Sequence, residues 1–261
     1  MLARLKDFTL IEQVVLALSI VLLGILVVDP FMLERSKVLI PEARKFLRTI
    51  TDLGRSNWML IPTGAAIAVA LVLRKRHVGF RNSAAYGLIA STVGFVFVSI
   101  GGAGLIANLT KNIIGRARPE LYDSVGPLAF KPFAFDADWA SFPSGHATNM
   151  FAFAAVIGIL WPKGRVLLYT LAAWIAASRV LIGEHYFTDV IAGAILGTAF
   201  PYLVRERFAA RRWLFERTPE GGYRLRGVRT QRWLGWPHPH RLGLDDARLA
   251  PPGESRKLDG N

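Results

Sequence analysis

Six long apolar stretches constrain the fold of this chain more than any other feature. They lie near Ile11–Val28, Trp58–Leu73, Ala84–Ile106, Ala147–Trp161, Val166–Ile182 and Asp189–Val204. Of the 261 residues 52% are hydrophobic, and the mean hydropathy is +0.33. That is too apolar for an ordinary soluble domain, and backbone polar groups inside lipid must be satisfied within each segment. The pattern therefore predicts an all-α polytopic membrane bundle with six transmembrane helices. Several stretches fall short of the roughly 20 residues a spanning helix needs, so tilt or extension into flanking residues is required. The first is read as an uncleaved helix, because Asp29-Pro30-Phe31 follows it where a signal peptide would carry a small-x-small cleavage site.

Basic residues set the expected orientation. Arg4 and Lys6 precede the first stretch. Arg74, Lys75, Arg76 and Arg81 follow the second, Lys163 and Arg165 the fourth, and Arg205, Arg207, Arg211 and Arg212 the sixth. With six spans all these segments share one side, which the positive-inside rule makes cytoplasmic, with both termini there. The loop 29–57 runs against the rule, since it carries Arg35, Lys37, Arg44, Lys45, Arg48 and Arg55. No cysteine is present, so disulfides, zinc-thiolate sites and thiol nucleophiles are excluded. The net charge of +13 points in a membrane protein to cytoplasmic loops and anionic lipid before nucleic acid.

Three motifs carry the chemistry: Lys111-x6-Arg118-Pro119, Pro143-Ser144-Gly145-His146, and Ser178-Arg179-x5-His185-x3-Asp189. In the six-helix topology all three fall on the outer face, although nothing in their residue types requires it. His185 and Asp189, four apart, share a face if both are helical. Asp189 then accepts a proton from one ring nitrogen and leaves the other free to attack phosphorus. A structural His–Asp pair at a helix start is the plainer reading of these two residues alone. His146 opens an apolar run behind Ser144, an N-cap type, and Gly145, which lets backbone approach an anion. It is read as general acid to the leaving oxygen, against the alternative of a capped helix start with an interfacial histidine. Lys111, Arg118 and Arg179 form the expected phosphate clamp, because fixed cations favour the charge gathered in a phosphoryl transition state. Arg179 follows a long apolar run and should have an anionic partner. Arg116 is outside the motif positions and is read as a loop-edge positive, not part of the site.

In order and spacing the motifs resemble the signature of the type 2 phosphatidic acid phosphatase family, and no motif position departs from it. The resemblance covers 111–189 by motif and roughly 1–205 by helix plan. It implies a phosphohistidine intermediate without a metal or other cofactor. His185 would be the nucleophile, His146 the acid and Asp189 the orienter, with Lys111, Arg118, Ser144, Gly145 and Arg179 holding phosphate. The implied substrate is a membrane lipid phosphate or diphosphate at the outer, periplasmic face of a bacterial inner membrane. Prenyl diphosphate, phosphatidylglycerophosphate, phosphatidic acid and the lipid A 1-phosphate are the substrates it suggests. A lipid phosphotransferase would share the first half-reaction. A vanadate-dependent haloperoxidase is disfavoured by six spans, and a non-enzymatic lipid-binding protein by the intact His146, His185 and Asp189.

The remaining features are peripheral. Residues 41–53 pattern as a short amphipathic helix, either a lipid guide on the outer surface or a packed connector. Phe130, Phe133, Phe135, Trp139 and Phe142 in the 120–142 loop read as interfacial anchors. Gly193 and Gly197 read as close helix packing. The expected division is a phosphatase domain over 1–205 and a basic cytoplasmic tail over 206–261. That tail is expected against anionic lipid headgroups and partly disordered towards Asn261. No nucleic-acid reader motif accompanies its charge, and His238 and His240 lack further ligands for a metal. Neither the head group nor the oligomeric state is encoded legibly in one sequence.

Overall fold

The computed structural model describes residues 19–76, 80–219 and 221–226. Residues 11–18 of the first apolar stretch lie outside these, as do Arg4, Lys6 and the tail beyond 226. The chain enters through a π-helical turn, Gly24–Val28, that continues into α1 (Asp29–Lys37). Then follow α2 (Pro41–Thr51), α3 (Asn57–Arg76), α4 (Phe80–Ile114), α5 (Gly145–Leu160), α6 (Arg165–Leu181) and α7 (Phe187–Ala210). A two-stranded hairpin, β1 (Phe215–Arg217) and β2 (Tyr223–Leu225), closes the described part.

Among the described residues four helical stretches are long and apolar enough to cross a membrane: Pro41–Arg76, Asn82–Ile114, Pro162–Leu181 and Phe187–Ala210. The α5 stretch is apolar but has only 16 residues, which would suit a short crossing in the bundle interior. Apolar side chains face outward, with Val166 79% and Ile61 70% exposed. In water such a surface would be a liability, and in lipid it is the expected one. The chain is an integral membrane protein, mostly helical.

The core lies between α4, α5, α6 and α7, where Phe95, Ile100, Ala103, Ala152, Val156, Ala172 and Ile175 are buried. Small residues let α5 and α7 approach closely. A methyl on Gly193 would stand 2.5 Å from the Ser144 carbonyl oxygen, and one on Gly197 2.3 Å from that of Thr148. The pair sits where the sequence pattern put close packing. Since α7 runs on to Ala210, the point at 205 where basic residues begin is inside the helix. Beyond it Phe215 packs edge-on against Phe95, with ring centroids 4.9 Å apart.

The expected amphipathic segment forms α2, followed by a 3-10 turn over Asp52–Gly54. This turn lies under the start of α5. A methyl at Gly54 would come within 2.6 Å of His146 Cδ2, so only glycine fits without displacing the imidazole.

Candidate functional site

Four helix ends meet at one end of the bundle: the end of α4, the start of α5, the end of α6 and the start of α7. Their side chains bring the eight residues singled out by sequence into one neighbourhood. Ser144 is the N-cap of α5, its hydroxyl accepting from the Ala147 N–H at 3.5 Å. Gly145 is the first helical residue, 3.8 Å (from an added methyl) from Lys111 Cε. His146 follows and packs on Gly54. The backbone N–H of Ser144 donates to the Asp189 carbonyl at 3.0 Å, joining the second and third motifs directly.

The three clamp cations are loosely held. Lys111 Nζ donates to the Ala140 carbonyl at 3.0 Å. Arg118 donates from Nε to the Ala137 carbonyl and from Nη1 to Glu184 Oε2, both at 2.8 Å. Arg179 reaches the same Glu184 oxygen at 3.5 Å and the Thr51 hydroxyl at 3.4 Å, while its Nε, buried, has no partner among the described residues. Glu184 is thus the anionic partner that the position of Arg179 called for. Two guanidinium groups share one carboxylate oxygen, which leaves donors free for a second anion.

His185 is not on a helix with Asp189, as the four-residue spacing suggested. It precedes Tyr186, the N-cap of α7, and reaches Asp189 from the turn. The reason is local. Asp189 is the third residue of the helix, and its Oδ2 accepts the backbone N–H of Tyr186 at 3.0 Å, a capping bond that ends the helix just beyond His185. His185 Nδ1 stands 3.7 Å from Asp189 Oδ2, longer than a hydrogen bond, and has no other partner among the described residues. Burial pushes the His185 pKa down from 6.5 to about 4, against the opposing pull of Asp189, so the ring is neutral at pH 7.

Arg116 overturns its reading as a loop-edge positive. It is 1% exposed. Its Nη1 donates to Asp189 Oδ1 at 2.6 Å and to Thr188 Oγ1 at 2.8 Å, and its Nη2 donates to Asp29 Oδ2 at 2.9 Å. The guanidinium lies over the Tyr186 ring, 4.2 Å from the centroid. Burial works against its charge, but Asp189 and Asp29 outweigh burial and hold its pKa above the ordinary value. The loop after α4 folds back, with Ser141 N–H donating to the Arg116 carbonyl at 3.1 Å, and this turns the side chain inward. Ser141 adds a second donor to the carboxylate, its hydroxyl 2.6 Å from Asp189 Oδ2. Sequence reasoning missed Asp29, Arg116 and Ser141. Their separations along the chain, such as 87 residues from Asp29 to Arg116, carry no pattern that spacing can reveal.

A cleft of about 490 Å³ leads away from Lys111, Gly145 and His146 between α3 and α4. Leu60, Ile100 and Leu105 provide apolar wall, and Asn57, Asn108 and Asn149 provide amides. Such a mixture suits a lipid whose head group hydrogen-bonds. Among the described residues no group of three His, Cys, Asp or Glu side chains is placed to hold a metal ion.

The PAP2 superfamily profile matches residues 92–213, a range that holds all three motifs. The chain is 36% identical over 188 residues to the lipid A 1-phosphatase of Rhizobium etli, covering 69% of this chain and 78% of that one. It is 35% identical to the lipid A 1-phosphatase of Rhizobium johnstonii, over 66% of this chain and 70% of that one. A solved phosphatidylglycerolphosphate phosphatase of Bacillus subtilis aligns with a TM-score of 0.47 and 22% identity, over 75% of this chain and 96% of that one.

Proposed function

This chain belongs to the PAP2 superfamily and is a phosphatase of that type, and from that premise we propose that it removes phosphate from a membrane lipid through a phosphohistidine on His185. The observation that carries the proposal is a neutral, buried His185 backed by Asp189 and set among three cations with unfilled donors. Lys111, Arg118 and Arg179, with the N–H groups at the start of α5, hold the phosphate oxygens and favour the charge of the transition state. His185 Nε2 attacks phosphorus and the phosphorus–oxygen bond to the lipid breaks. The leaving oxygen takes a proton from His146. Water, giving its proton back to His146, then attacks the phosphohistidine and releases inorganic phosphate. Asp189 orients His185 and balances the charge that develops on its ring.

The lipid A 1-phosphatases among the relatives make a phosphorylated glycolipid the leading substrate class. The amides lining the cleft support a leaving group rich in hydroxyls. The same intermediate serves a lipid phosphotransferase, if a second lipid replaces water. Six spans, a site on the outer face of a bacterial inner membrane and cytoplasmic termini complete the proposal. Their support is the apolar pattern and the basic residues at the opposite helix ends.

The test is phosphate release by the detergent-purified full chain, with excess chelator, from lipid A, prenyl, phosphatidylglycerol and phosphatidic acid phosphates. Release that His185→Ala reduces by about three orders of magnitude or more is expected. Turnover that survives this substitution, or that requires added metal, would overturn the histidine mechanism.

A further inference from the structure

The strongest bonds to Asp189 come from Arg116 and Ser141, not from His185. Arg116 in turn is held from behind. Asp29, at the start of α1, accepts Arg116 Nη2 at 2.9 Å and the Thr188 hydroxyl at 2.6 Å on Oδ2, and the Thr188 backbone N–H at 2.9 Å on Oδ1. Thr188 Oγ1 also accepts from Arg116 Nη1, so Asp29, Arg116 and Thr188 close a ring of bonds beside Asp189. Asp29, Arg116 and Asp189 are each 1% exposed or less. A buried ion cluster is costly compared with apolar packing, so fold stability alone is a poor account of it. Its placement directly against the residue that faces His185 gives a better one.

We infer that Asp29 and Arg116 are positioning residues for the reaction: Arg116, anchored by Asp29, holds Asp189 Oδ1 so that Oδ2 stays turned towards His185 Nδ1. Two consequences follow from charge and geometry. An Arg116–Asp189 pair alone would be neutral and would cancel the pull of the carboxylate on the imidazole. The second carboxylate returns the cluster to a net charge of −1, which favours the cationic ring formed during phosphoryl transfer. With Oδ1 held and Oδ2 facing Nδ1, the ring proton belongs on Nδ1, and Nε2 is the free nucleophile. The device also ties the start of α1 to a motif 159 residues later.

The inference rests on His185 as the attacking group, and its test is read without turnover as well as with it. The full chain, ring-15N-labelled at its five histidines, is examined by NMR in detergent micelles, with His185→Gln identifying the relevant signal. At pH 7 the wild-type His185 proton is expected on Nδ1. Asp29→Asn sets an amide N–H against groups that all donate, and Arg116→Gln removes the anchored cation. Each variant is expected to populate the Nε2–H tautomer and to lower kcat about tenfold or more with KM unchanged, because the phosphate clamp is untouched. Arg116→Lys keeps the charge but not the planar fork, and is expected to recover part of the kcat lost in Arg116→Gln. Folded Asp29→Asn protein with the wild-type tautomer and kcat overturns the inference, whether or not Arg116→Gln folds. Turnover that survives His185→Ala instead overturns the attacking role and leaves the NMR result to judge the positioning of the ring.

Discussion

Two groups of charges flank His185, and they are built on opposite principles. Behind the ring, Asp29, Arg116 and Asp189 are fully buried, and both carboxylates are filled by donors 2.6–3.0 Å away. In front, Lys111, Arg118 and Arg179 have, among the described residues, one carboxylate between them, Glu184, at 2.8 Å from Arg118 and 3.5 Å from Arg179. The rear group is a saturated network, in which removing Arg116 leaves two buried carboxylates without their cation. The front group leaves its cations with few anionic partners, which is the state that the proposed phosphate would complete. On the proposed mechanism, the contrast separates residues that hold a reacting group from residues that bind the substrate.

Substitutions can break that contrast. The largest effect on the fold should come from Arg116→Ala, which strands Asp29 and Asp189 and should cost about 3–5 kcal/mol, read as a fall in the thermal midpoint in detergent. Arg179→Ala should leave the midpoint near wild type but lower kcat/KM by about 10²–10³. Equal destabilisation by both would erase the distinction. A smaller effect is expected from pH. His185 is held near 4 in the fold against 6.5 ordinarily, so as pH falls the unfolded chain binds the proton first. Its contribution is fully present above pH 6.5 and is lost between 6.5 and 4, by about 1.4 kcal/mol per unit. The midpoint of wild type should therefore drop more between pH 7 and pH 5 than that of His185→Gln. The smallest effect concerns Glu184, partly buried between Arg118 and Arg179. Pairs near the surface are worth about 0.2–1 kcal/mol, so Glu184→Gln should tighten competitive inhibition by inorganic phosphate by up to about fivefold. Weaker inhibition would instead show that Glu184 holds the two arginines in place.

Legibility followed the range of the physics. The apolar stretches, the α2 segment and the small-residue pair at Gly193 and Gly197 could be read because each depends on periodicity within one segment. The eight motif residues stood out because their residue types and spacing resemble a family signature, and the fold brings them to one end of the bundle. The local structure of His185 stayed open, since the spacing to Asp189 suits both a helical turn and a capping turn. The choice fell to the Asp189 side chain bonding the Tyr186 N–H. Arg116 was misread for a different reason: two residues before Arg118, it looked like one more basic residue in a basic loop.

By itself the sequence determined the membrane-spanning helical class and the family, and it singled out the residues proposed to hold and attack a phosphate. Those properties reside in local hydropathy and in short motifs. Only the tertiary structure decided which cation is buried between two carboxylates and which stays partly exposed beside a single one. Arg116 and Arg118 are alike in residue type and two positions apart. The fold of the loop after α4 points one at Asp29 and Asp189 and the other at Glu184. That difference depends on partners 73 to 87 residues away for Arg116 and 66 for Arg118, and chain separation on that scale carries no local code.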